Sequence, residues 1–214
     1  MSDNSFTSDP DSLSNSFPDE KSTDRDPFLQ FSTWFMDAVD SGVSDPEAMF
    51  LATADGNGIP SGRIVLMKGF DSNGFVFFTN YNSRKGQEIT SNPNVALVFL
   101  WKEIGRQVRI TGKADKIPAT ESDEYFSSRP MESRISAIIS PQSSVIPDRK
   151  YLEKKFDETI KSLQGKEPER PQHWGGFRIK PVEFEFWQLR DHRLHDRLHY
   201  QLEGENWIIE RLAP

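Results

Sequence analysis

The sequence predicts an α+β fold in which an antiparallel β-barrel or curled sheet carries helices at its periphery. Three observations predict this class: short segments of strand-like alternation, the glycine-containing turns that join them, and helical segments set between them. The length of 214 residues suits one domain. Aromatic residues make up 12% of the chain, with 16 Phe and 5 Trp, so we expect a core rich in rings.

The first helix is predicted to begin at Asp26-Pro27, because Asp is a favourable N-cap and Pro suits the first helical position. Apolar residues then recur at helical spacing on one face, namely Phe28, Phe31, Phe35 and Ala38. Gly42 is the predicted stop. Further helices are predicted over 83–90, 119–129, 134–139 and 148–163.

Strands are predicted where the apolar period changes to two. Two Gly-containing turns, over 55–58 and 71–74, join the first three strands into a meander. The predicted strands are 48–54 (AMFLATA), 63–70 (RIVLMKGF), 75–80 (FVFFTN), 94–101 (NVALVFLW), 106–117 (RQVRITGKADKI), 181–189 (PVEFEFWQL) and 207–212 (WIIERL).

Charge divides the chain near residue 26. Residues 1–26 hold seven acidic side chains, two basic ones and seven Ser, so we expect a disordered acidic, Ser-rich tail there. Residues 27–214, the predicted domain, hold the remaining 26 acidic and 24 basic residues, a formal charge of −2. Such a body lacks the basic footprint of a nucleic-acid-binding surface.

Composition excludes further classes. The chain has no Cys, which rules out disulfides, thiolate metal sites and Cys nucleophiles. Apolar runs fall short of the roughly 18 residues that span a bilayer, and the N-terminus carries no basic-then-apolar signal pattern. We therefore expect a cytoplasmic protein without a membrane partner.

Two pairs of basic residues interrupt the predicted sheet. Arg63 and Lys68 bracket four apolar residues; a flat strand would aim them at opposite faces, whereas a bulge or barrel rim would bring both to one ligand. Arg84 and Lys85 open a helix, where free backbone N–H groups favour an anion. Solvated strand ends and an ordinary helix start are the simpler interpretations.

A third basic position lies in a predicted helix. Arg129 follows Tyr125 by four residues on one helical face and precedes Ser133, a donor set suited to phosphate, although a surface helix would also explain it. Taken together, the basic residues in or beside apolar segments predict two anionic groups bound close together. Trp187 favours an aromatic ligand.

The segment 186–200, FWQLRDHRLHDRLHY, contains three of the four His residues. A helix would place His192, His195 and His199 on one face and allow a metal site. We favour a strand, because alternation leads into the segment, and a strand spreads these side chains too far apart for one ion. We therefore expect no metal. The strand would align a basic face that requires an anionic partner, formed by Arg193, His195, Arg197 and His199.

The ordered series of motifs resembles the pyridoxine (pyridoxamine) 5′-phosphate oxidase family from Asp26 to Pro214. The motifs are RIVLMKGF, FFTN with SRKG, WKEIGRQVRI, YFSSRP, SPQSSVIPDR, WGGFRI, FEFWQ, RLHDRL and the terminal RLAP. The resemblance implies an FMN-binding antiparallel split β-barrel with peripheral helices. It also implies a homodimer that holds FMN in the groove between its subunits.

The resemblance assigns residues to FMN. Its phosphate and ribityl chain would be held mainly by Arg63, Ile64, Val65, Leu66, Met67, Lys68, Arg84, Lys85, Gln142 and Ser143. Backbone or hydroxyl contacts would come from Phe78 and Thr79. The isoalloxazine pocket would be formed by Gln107, Trp187 and Arg197.

The resemblance also implies substrate and catalytic residues. The substrate phosphate would be bound by Lys68, Tyr125, Arg129 and Ser133, and the substrate ring would be covered by Arg193, Leu194 and His195. The catalytic residues would be Arg193, His195 and Arg197. The implied reaction takes pyridoxine 5′-phosphate and pyridoxamine 5′-phosphate to pyridoxal 5′-phosphate by hydride transfer from C4′ to flavin N5. O₂ reoxidises the flavin to release H₂O₂, and the amine also releases NH₃.

Two alternatives stay open: a related split-barrel flavoprotein acting on another ring, such as a phenazine precursor, and a non-catalytic carrier of FMN or pyridoxal phosphate. One departure from the family pattern bears on closure of the site. Residues 1–26 lack the Arg-x-x-Tyr segment that covers the substrate in many family members.

Overall fold

The structure is a computed structural model that describes residues 20–21 and 23–214. Its helices are α1 (Pro27–Asp40), α2 (Arg84–Ser91), α3 (Ala119–Ser128), α4 (Met131–Ile139) and α5 (Arg149–Leu163). Its strands are β1 (Ala48–Ala54), β2 (Pro60–Leu66), β3 (Gly69–Asp71), β4 (Gly74–Asn80), β5 (Asn94–Trp101), β6 (Arg106–Lys116), β7 (Trp174–Gln188), β8 (Asp196–Glu203) and β9 (Asn206–Arg211). Among the described residues, the helices are all too short or too polar to cross a membrane.

The chain divides into two compact units. The first, here called the sheet unit, consists of Glu47–Phe99 and Arg109–Phe184. The second, here called the hairpin unit, consists of the chain up to Pro46, Leu100–Val108 and Glu185–Pro214. The segment 27–214, predicted as one domain, is distributed over both units.

The strands pair in the order β2-β1-β5-β6-β7-β4-β3, and β8 pairs with both β7 and β9. The registers are antiparallel: Phe50 on β1 lies opposite Ile64 on β2 and Val98 on β5, and Phe77 on β4 lies opposite Phe177 on β7. Helix α1 precedes the strands along the chain, and the other helices lie between strands. This arrangement confirms the predicted α+β class with an antiparallel sheet.

Aromatic residues build the core of the sheet unit, as the composition predicts. The ring of Phe75 lies 6.1 Å from that of Phe99 and 6.0 Å from that of Phe184, and all three side chains are buried. The turn before this core requires glycine. Gly74 has a φ of +126°, and a Cβ there would lie 1.9 Å from the carbonyl oxygen of Ile179.

In the hairpin unit, α1 and β8 both pack against Phe186 at the end of β7. The Asp26 carboxylate accepts a hydrogen bond from the Phe28 N–H at 2.9 Å, which confirms the predicted helix start. Trp34 on α1 meets Phe186 edge-on at 5.3 Å, and Phe186 meets Tyr200 on β8 at 5.4 Å. Local capping and an apolar helical face thus combine into a buried aromatic cluster.

Three predicted strand boundaries were wrong. The strand predicted over 63–70 breaks after Leu66, because the Lys68 N–H no longer pairs with β1 and donates to the Val76 carbonyl of β4 at 2.8 Å. β7 begins at Trp174 rather than at 181. The prediction missed this start because the glycines at 175 and 176 have no side chains and so show no apolar alternation. The strand predicted through 186–200 stops at Gln188 and resumes at Asp196.

A backbone reversal explains the break within 186–200. His192 and Arg193 have φ values of 55° and 61°, in the left-handed region that a strand cannot accommodate. Arg193 and His195 therefore lie in the loop before β8, while Arg197 and His199 lie on the strand. The predicted basic face of four alternating residues does not form.

Disorder was predicted for residues 1–26. Residues 1–19 and 22 lie outside the described residues, so for them it stays a prediction. The described remainder of the tail makes contacts. Thr23 is buried, and its hydroxyl lies 2.6 Å from the Tyr200 phenol oxygen. The Glu20 carboxylate forms an ion pair with Arg211 at 2.7 Å.

Candidate functional site

A cluster of basic side chains surrounds one buried carboxylate in the sheet unit. Helix α2 places Arg84 and Glu88 one turn apart, and the Arg84 Nε donates to Glu88 Oε1 at 2.8 Å. From β2, Arg63 Nη2 approaches Glu88 Oε2 at 3.2 Å. Only 6% of the Glu88 side chain is exposed. We call these three residues the Glu88 cluster.

The β1–β2 register completes the Glu88 cluster. Thr53 on β1 and Ser61 on β2 are cross-strand partners, and their hydroxyls donate to Glu88 Oε2 at 2.5 Å and 2.6 Å. Burial raises the pKa of the Glu88 carboxyl, but the hydrogen bonds from Ser61, Thr53 and the two arginines outweigh it and lower that pKa to about 2. Glu88 is therefore ionised at neutral pH and holds Arg63 and Arg84 in place.

Lys85 lies beside this cluster on the same helix. Its Nζ donates to Gln142 Oε1 at 2.9 Å and to Thr79 Oγ1 at 3.2 Å, and the Thr79 hydroxyl itself donates to Gln142 at 3.2 Å. The pKa of Lys85 is lowered overall, because burial and the nearby Arg63 charge outweigh the opposite effect of Glu88. The structure thus brings the predicted residues Thr79, Lys85 and Gln142 into direct contact.

The charges of this region do not balance. In the described part of the chain, Arg63 and Arg84 share the Glu88 carboxylate, and Lys85 forms no ion pair. Three cations therefore face one anion. A phosphate monoester bound here would supply the missing negative charge and accept several charge-assisted hydrogen bonds.

The N-terminus of α2 lies in the same region as these three cations. The Ser83 side chain accepts from the Gly86 N–H at 3.3 Å and caps the helix. A Cβ at Gly86 would lie 2.3 Å from the Tyr81 carbonyl oxygen, so the close approach of these two backbone segments requires glycine. The predicted helix start at SRKG is confirmed.

A stack of aromatic rings lies next along the sheet unit. Tyr125 on α3 stacks on Phe78 of β4 with ring centroids 3.9 Å apart, and Phe78 stacks on Trp174 of β7 at 5.5 Å. The guanidinium carbon of Arg129 lies 4.7 Å from the Trp174 ring centroid. Burial raises the pKa of Tyr125 and lowers that of Arg129, so both side chains stand in a partly desolvated setting.

Arg129 carries an unsatisfied donor. Its Nη1 atom is buried and has no hydrogen-bond partner among the described residues. The side chain borders a cavity of about 390 Å³. That cavity is lined by Asn80, Arg129, Glu132, Ser133, Ser136, Ala137, Ser140, Gln142 and Trp174. A buried guanidinium N–H without a protein acceptor can donate to a ligand oxygen.

The cavity joins two predicted sets. It brings Arg129 and Ser133, predicted for a substrate phosphate, to the same space as Gln142, predicted for a cofactor. Lys68 does not line it; that residue is exposed just beyond the end of β2. Ser143 is exposed and has a φ of 70°.

The apolar residues predicted around FMN, at 64–67, alternate between exposed and more buried positions along the end of β2. Ile64 and Leu66 are 64% and 41% exposed, whereas Met67 is buried and Val65 is half-buried. β2 is the end strand in the sheet order, and its paired neighbour in that order is β1.

The hairpin unit holds the remaining predicted residues. The Trp187 and His195 rings lie 4.6 Å apart, and His195 Nδ1 accepts a hydrogen bond from the Arg190 backbone N–H at 3.1 Å. An accepting Nδ1 leaves Nε2 as the proton-bearing nitrogen of the neutral ring. Arg193 and Leu194 are exposed, and Gln107 is half-buried on β6.

Arg197 is held from two sides on β8. Its Nε donates to Glu185 Oε1 at 2.8 Å and its Nη1 to the Ala213 carbonyl at 2.8 Å. The buried Glu185 carboxylate raises the pKa of Arg197 by this hydrogen bond. Arg197 therefore stays charged and oriented. In the described residues, no group of three or more His, Asp and Glu side chains is placed to hold a metal ion.

Comparison with known proteins identifies the family. The family profile described as "Pyridoxamine 5'-phosphate oxidase" matches residues 35–162, and "Pyridoxine 5'-phosphate oxidase C-terminal dimerisation region" matches residues 174–214. A "Pyridoxine/pyridoxamine 5'-phosphate oxidase" from Polynucleobacter asymbioticus is 55% identical over 188 residues, covering 88% of this chain and 89% of the relative. The chain belongs to the pyridoxamine 5′-phosphate oxidase family.

Other members and solved structures agree with this assignment. The chloroplastic "Pyridoxine/pyridoxamine 5'-phosphate oxidase 1" of Arabidopsis thaliana is 50% identical over 200 residues, covering 91% of this chain and 38% of that longer protein. PhzG from Burkholderia lata 383, solved with tetrahydrophenazine-1-carboxylic acid, superposes with a TM-score of 0.89 at 31% identity, covering 95% of this chain and all of PhzG. An FMN-binding protein from Nostoc punctiforme shares the fold, with a TM-score of 0.70 at 18% identity over 88% and 98% of the two chains. The predicted split barrel is thereby confirmed.

Several contacts in this pyridoxamine 5′-phosphate oxidase family member were not predicted from sequence. Glu88, Trp174 and Glu185 each contact a predicted arginine. The spacing of four between Arg84 and Glu88 on a predicted helix is a signal that could have revealed the first. Of the other two, Trp174 joins β7 to the residue that follows α3, and Glu185 joins β7 to β8; local sequence carries no signal for such tertiary contacts.

Proposed function

We propose that this chain is an FMN-dependent oxidase that converts pyridoxine 5′-phosphate and pyridoxamine 5′-phosphate to pyridoxal 5′-phosphate. The alcohol plus O₂ yields the aldehyde plus H₂O₂. The amine plus O₂ and water yields the aldehyde, NH₃ and H₂O₂. Relatives that bear this name at 50–55% identity support the proposal.

The observation that carries the proposal is the buried Nη1 of Arg129 without a hydrogen-bond partner in the described chain. The Arg129 residue borders a cavity that Ser133 also lines, so a phosphate there would be met by a guanidinium and a hydroxyl. A ligand with no acceptor oxygen there would leave the guanidinium N–H unsatisfied, which costs free energy. This favours a substrate with an anionic group, such as a phosphate, at this place.

The residues of the Glu88 cluster, together with Lys85, fit the phosphate of FMN. Arg63, Arg84 and Lys85 have an excess of positive charge over Glu88, and the Thr79 hydroxyl and Gln142 amide lie within hydrogen-bond distance of Lys85. These residues would hold the phosphate end. Gln107, Trp187 and Arg197 would contact the ring system. When bound, FMN supplies the hydride acceptor and the reaction with O₂.

The protein's own contribution is binding and orientation. Tyr125, stacked on Phe78, and Arg129 would fix the substrate phosphate and thereby place the C4′ carbon. Arg197, fixed by Glu185, would hold a positive charge where negative charge develops. His195, with Nδ1 occupied by the Arg190 N–H, would present Nε2–H to the substrate ring, and Arg193 would cover that ring.

A homodimer forms part of the proposal. The profile that matches residues 174–214 is described as a dimerisation region. Exposed apolar side chains on β1 and β2, namely Phe50, Ile64 and Leu66, support a buried partner surface on the sheet unit. Because FMN would lie in the groove between subunits, both chains would contribute residues to each site.

The second candidate function is oxidation of a different ring, and the similarity to PhzG favours it. An anaerobic titration distinguishes the two. Purified, FMN-loaded protein is mixed with pyridoxine 5′-phosphate, with unphosphorylated pyridoxine, or with a dihydrophenazine carboxylic acid. We expect loss of the flavin absorption near 450 nm with the phosphorylated vitamer alone; reduction by the phenazine compound alone would favour the alternative, and FMN that no compound reduces would indicate a carrier.

A further inference from the structure

The described part of the N-terminal segment, residues 20–21 and 23–26, packs on the β8–β9 hairpin. We call it the N-terminal strap. Thr23 is its buried anchor: its hydroxyl donates to Gln30 Oε1 at 2.9 Å and lies 2.6 Å from the Tyr200 phenol oxygen. Tyr200 in turn donates to the Asp24 carbonyl at 2.8 Å. The strap is thus fixed to β8 in the middle.

A continuous chain of ion pairs leads from the strap across the hairpin. Glu20 pairs with Arg211 of β9 at 2.7 Å, and Arg211 Nη1 pairs with Asp196 at the start of β8 at 2.6 Å. The other Asp196 oxygen pairs with Arg190 Nε at 2.6 Å. Four charged side chains of alternating sign therefore connect the strap to the loop before β8.

The chain of ion pairs ends at Arg190, which in turn contacts His195. The Arg190 backbone N–H donates to His195 Nδ1, so the residue that Asp196 holds by its side chain also sets the imidazole orientation. The same loop contains Arg193, and His192 and Arg193 both have positive φ values. A loop with two left-handed residues other than glycine persists only where its surroundings hold it.

From this geometry we infer that Glu20 and Arg211 are positioning residues for the oxidase reaction. They act through Asp196 and Arg190 to hold the His195 ring and its loop over the substrate, and the strap is what completes the ion-pair chain. The inference rests on the proposed function, because it assigns a purpose to the orientation of His195. It places the effect on turnover rather than on phosphate binding, since Arg129 and the Glu88 cluster make no contact in this chain of ion pairs.

The expected effect is modest. The side chains of Glu20 and Arg211 are 38% and 39% exposed, so solvent screens their ion pair. The loop would remain near its place and occupy the productive orientation for less of the time. We expect kcat to fall about three- to tenfold on removal of either charge, an effect in the range of a weak orienting interaction.

The test uses full-length, FMN-loaded protein and four variants. Glu20→Gln removes one charge of the strap, and Arg211→Met removes the partner charge while keeping an apolar stem. Arg211→Lys restores a cation. Glu205→Gln, in the exposed hairpin turn, is the matched control. Two quantities are measured: hydrogen exchange of the Arg190 amide, and kcat and KM for pyridoxine 5′-phosphate.

We expect Glu20→Gln and Arg211→Met to accelerate exchange of the Arg190 amide and to lower kcat with KM unchanged, and Arg211→Lys to restore both in part. Glu205→Gln should match the wild type. Unchanged exchange in both loss-of-charge variants would overturn the inference, as would faster exchange with an unaltered kcat. If the wild type oxidises neither vitamer, the proposed function fails on its own, while the amide exchange still tests the ion-pair chain.

Discussion

The ring of Tyr125 lies flat against that of Phe78, with centroids 3.9 Å apart and an angle of 18° between the planes. This contact ties α3 to β4, and Trp174 extends the stack toward Arg129. The aromatic surface therefore supports a guanidinium whose Nη1 has no acceptor in the described chain. The stack of rings thus holds the Arg129 guanidinium in a partly desolvated position beside the cavity.

Arg129→Met tests the role of that guanidinium. We expect KM for pyridoxine 5′-phosphate to rise about ten- to a hundredfold, because a charge-assisted hydrogen bond contributes about 1.5–3 kcal/mol. The KM for unphosphorylated pyridoxine should hardly change. Steady-state oxygen consumption measures both. Arg149→Met, on the exposed face of α5, is the control; an equal rise in KM for both vitamers would remove Arg129 from the phosphate site.

Lys85→Met tests the proposed site for the FMN phosphate. Lys85 donates to Thr79 and Gln142 and forms no ion pair in the described chain, so its charge is available to a ligand. We expect the Kd of FMN for the cofactor-free protein to rise about ten- to a hundredfold. Quenching of flavin fluorescence measures it.

Riboflavin provides the control for this variant, because it lacks the phosphate. Its affinity should be the same in the wild type and in Lys85→Met, while exposed Lys150→Met should leave FMN binding unaltered. Equal weakening of FMN and riboflavin would place Lys85 at the ring or in the fold rather than at the phosphate.

Glu88→Gln tests the buried carboxylate through the pH dependence of stability. The pKa of Glu88 is lowered from an ordinary value of 4.5 to about 2, so the folded state favours the ionised form. Its contribution is complete above pH 4.5 and is lost as the pH falls toward 2. Linkage makes that contribution about 3–4 kcal/mol at neutral pH.

We therefore expect Glu88→Gln to lower the free energy of unfolding strongly at pH 7 and less at pH 3. Urea unfolding of the cofactor-free protein at both pH values measures the difference. Glu153→Gln, which breaks an exposed ion pair with Arg149 on α5, should have little effect at either pH. A cost for Glu88→Gln that does not depend on pH would contradict the low pKa.

Tyr200→Phe tests the anchor of the N-terminal strap. Loss of the phenol hydroxyl removes the contacts to Thr23 and Asp24, which should cost about 1–2 kcal/mol and lower Tm by roughly 3–6 °C. In a chain that begins at Asp26, the same substitution should cost far less, because both partners are already gone. Deletion of residues 1–19 alone should preserve the full cost. Calorimetric melting of the three chain lengths, each with and without the substitution, checks the coupling.

The sequence alone predicts the elements whose signals are local. Asp26 and Ser83 cap their helices through side chains two or three residues from the N–H they accept, so α1 and α2 were predicted with nearly correct starts. Alternation likewise predicted β1, β4 and β9. The motif series was sufficient to predict the family, since each motif is contiguous. It also singled out Arg63, Arg84 and Lys85, which the structure brings close together.

Tertiary structure decided how those residues are held. Glu88 meets Thr53 and Arg63 across 35 and 25 residues of chain, which requires the β1–β2 register and the packing of α2 against it. Arg190 orients His195 only because the backbone reverses at His192 and Arg193. The residue alternation through 186–200 is not interrupted at this reversal, so the sequence pattern does not reveal it. Residue types and spacing determine what a segment can form locally, whereas contacts between distant segments depend on the register in which strands pair and on where they end.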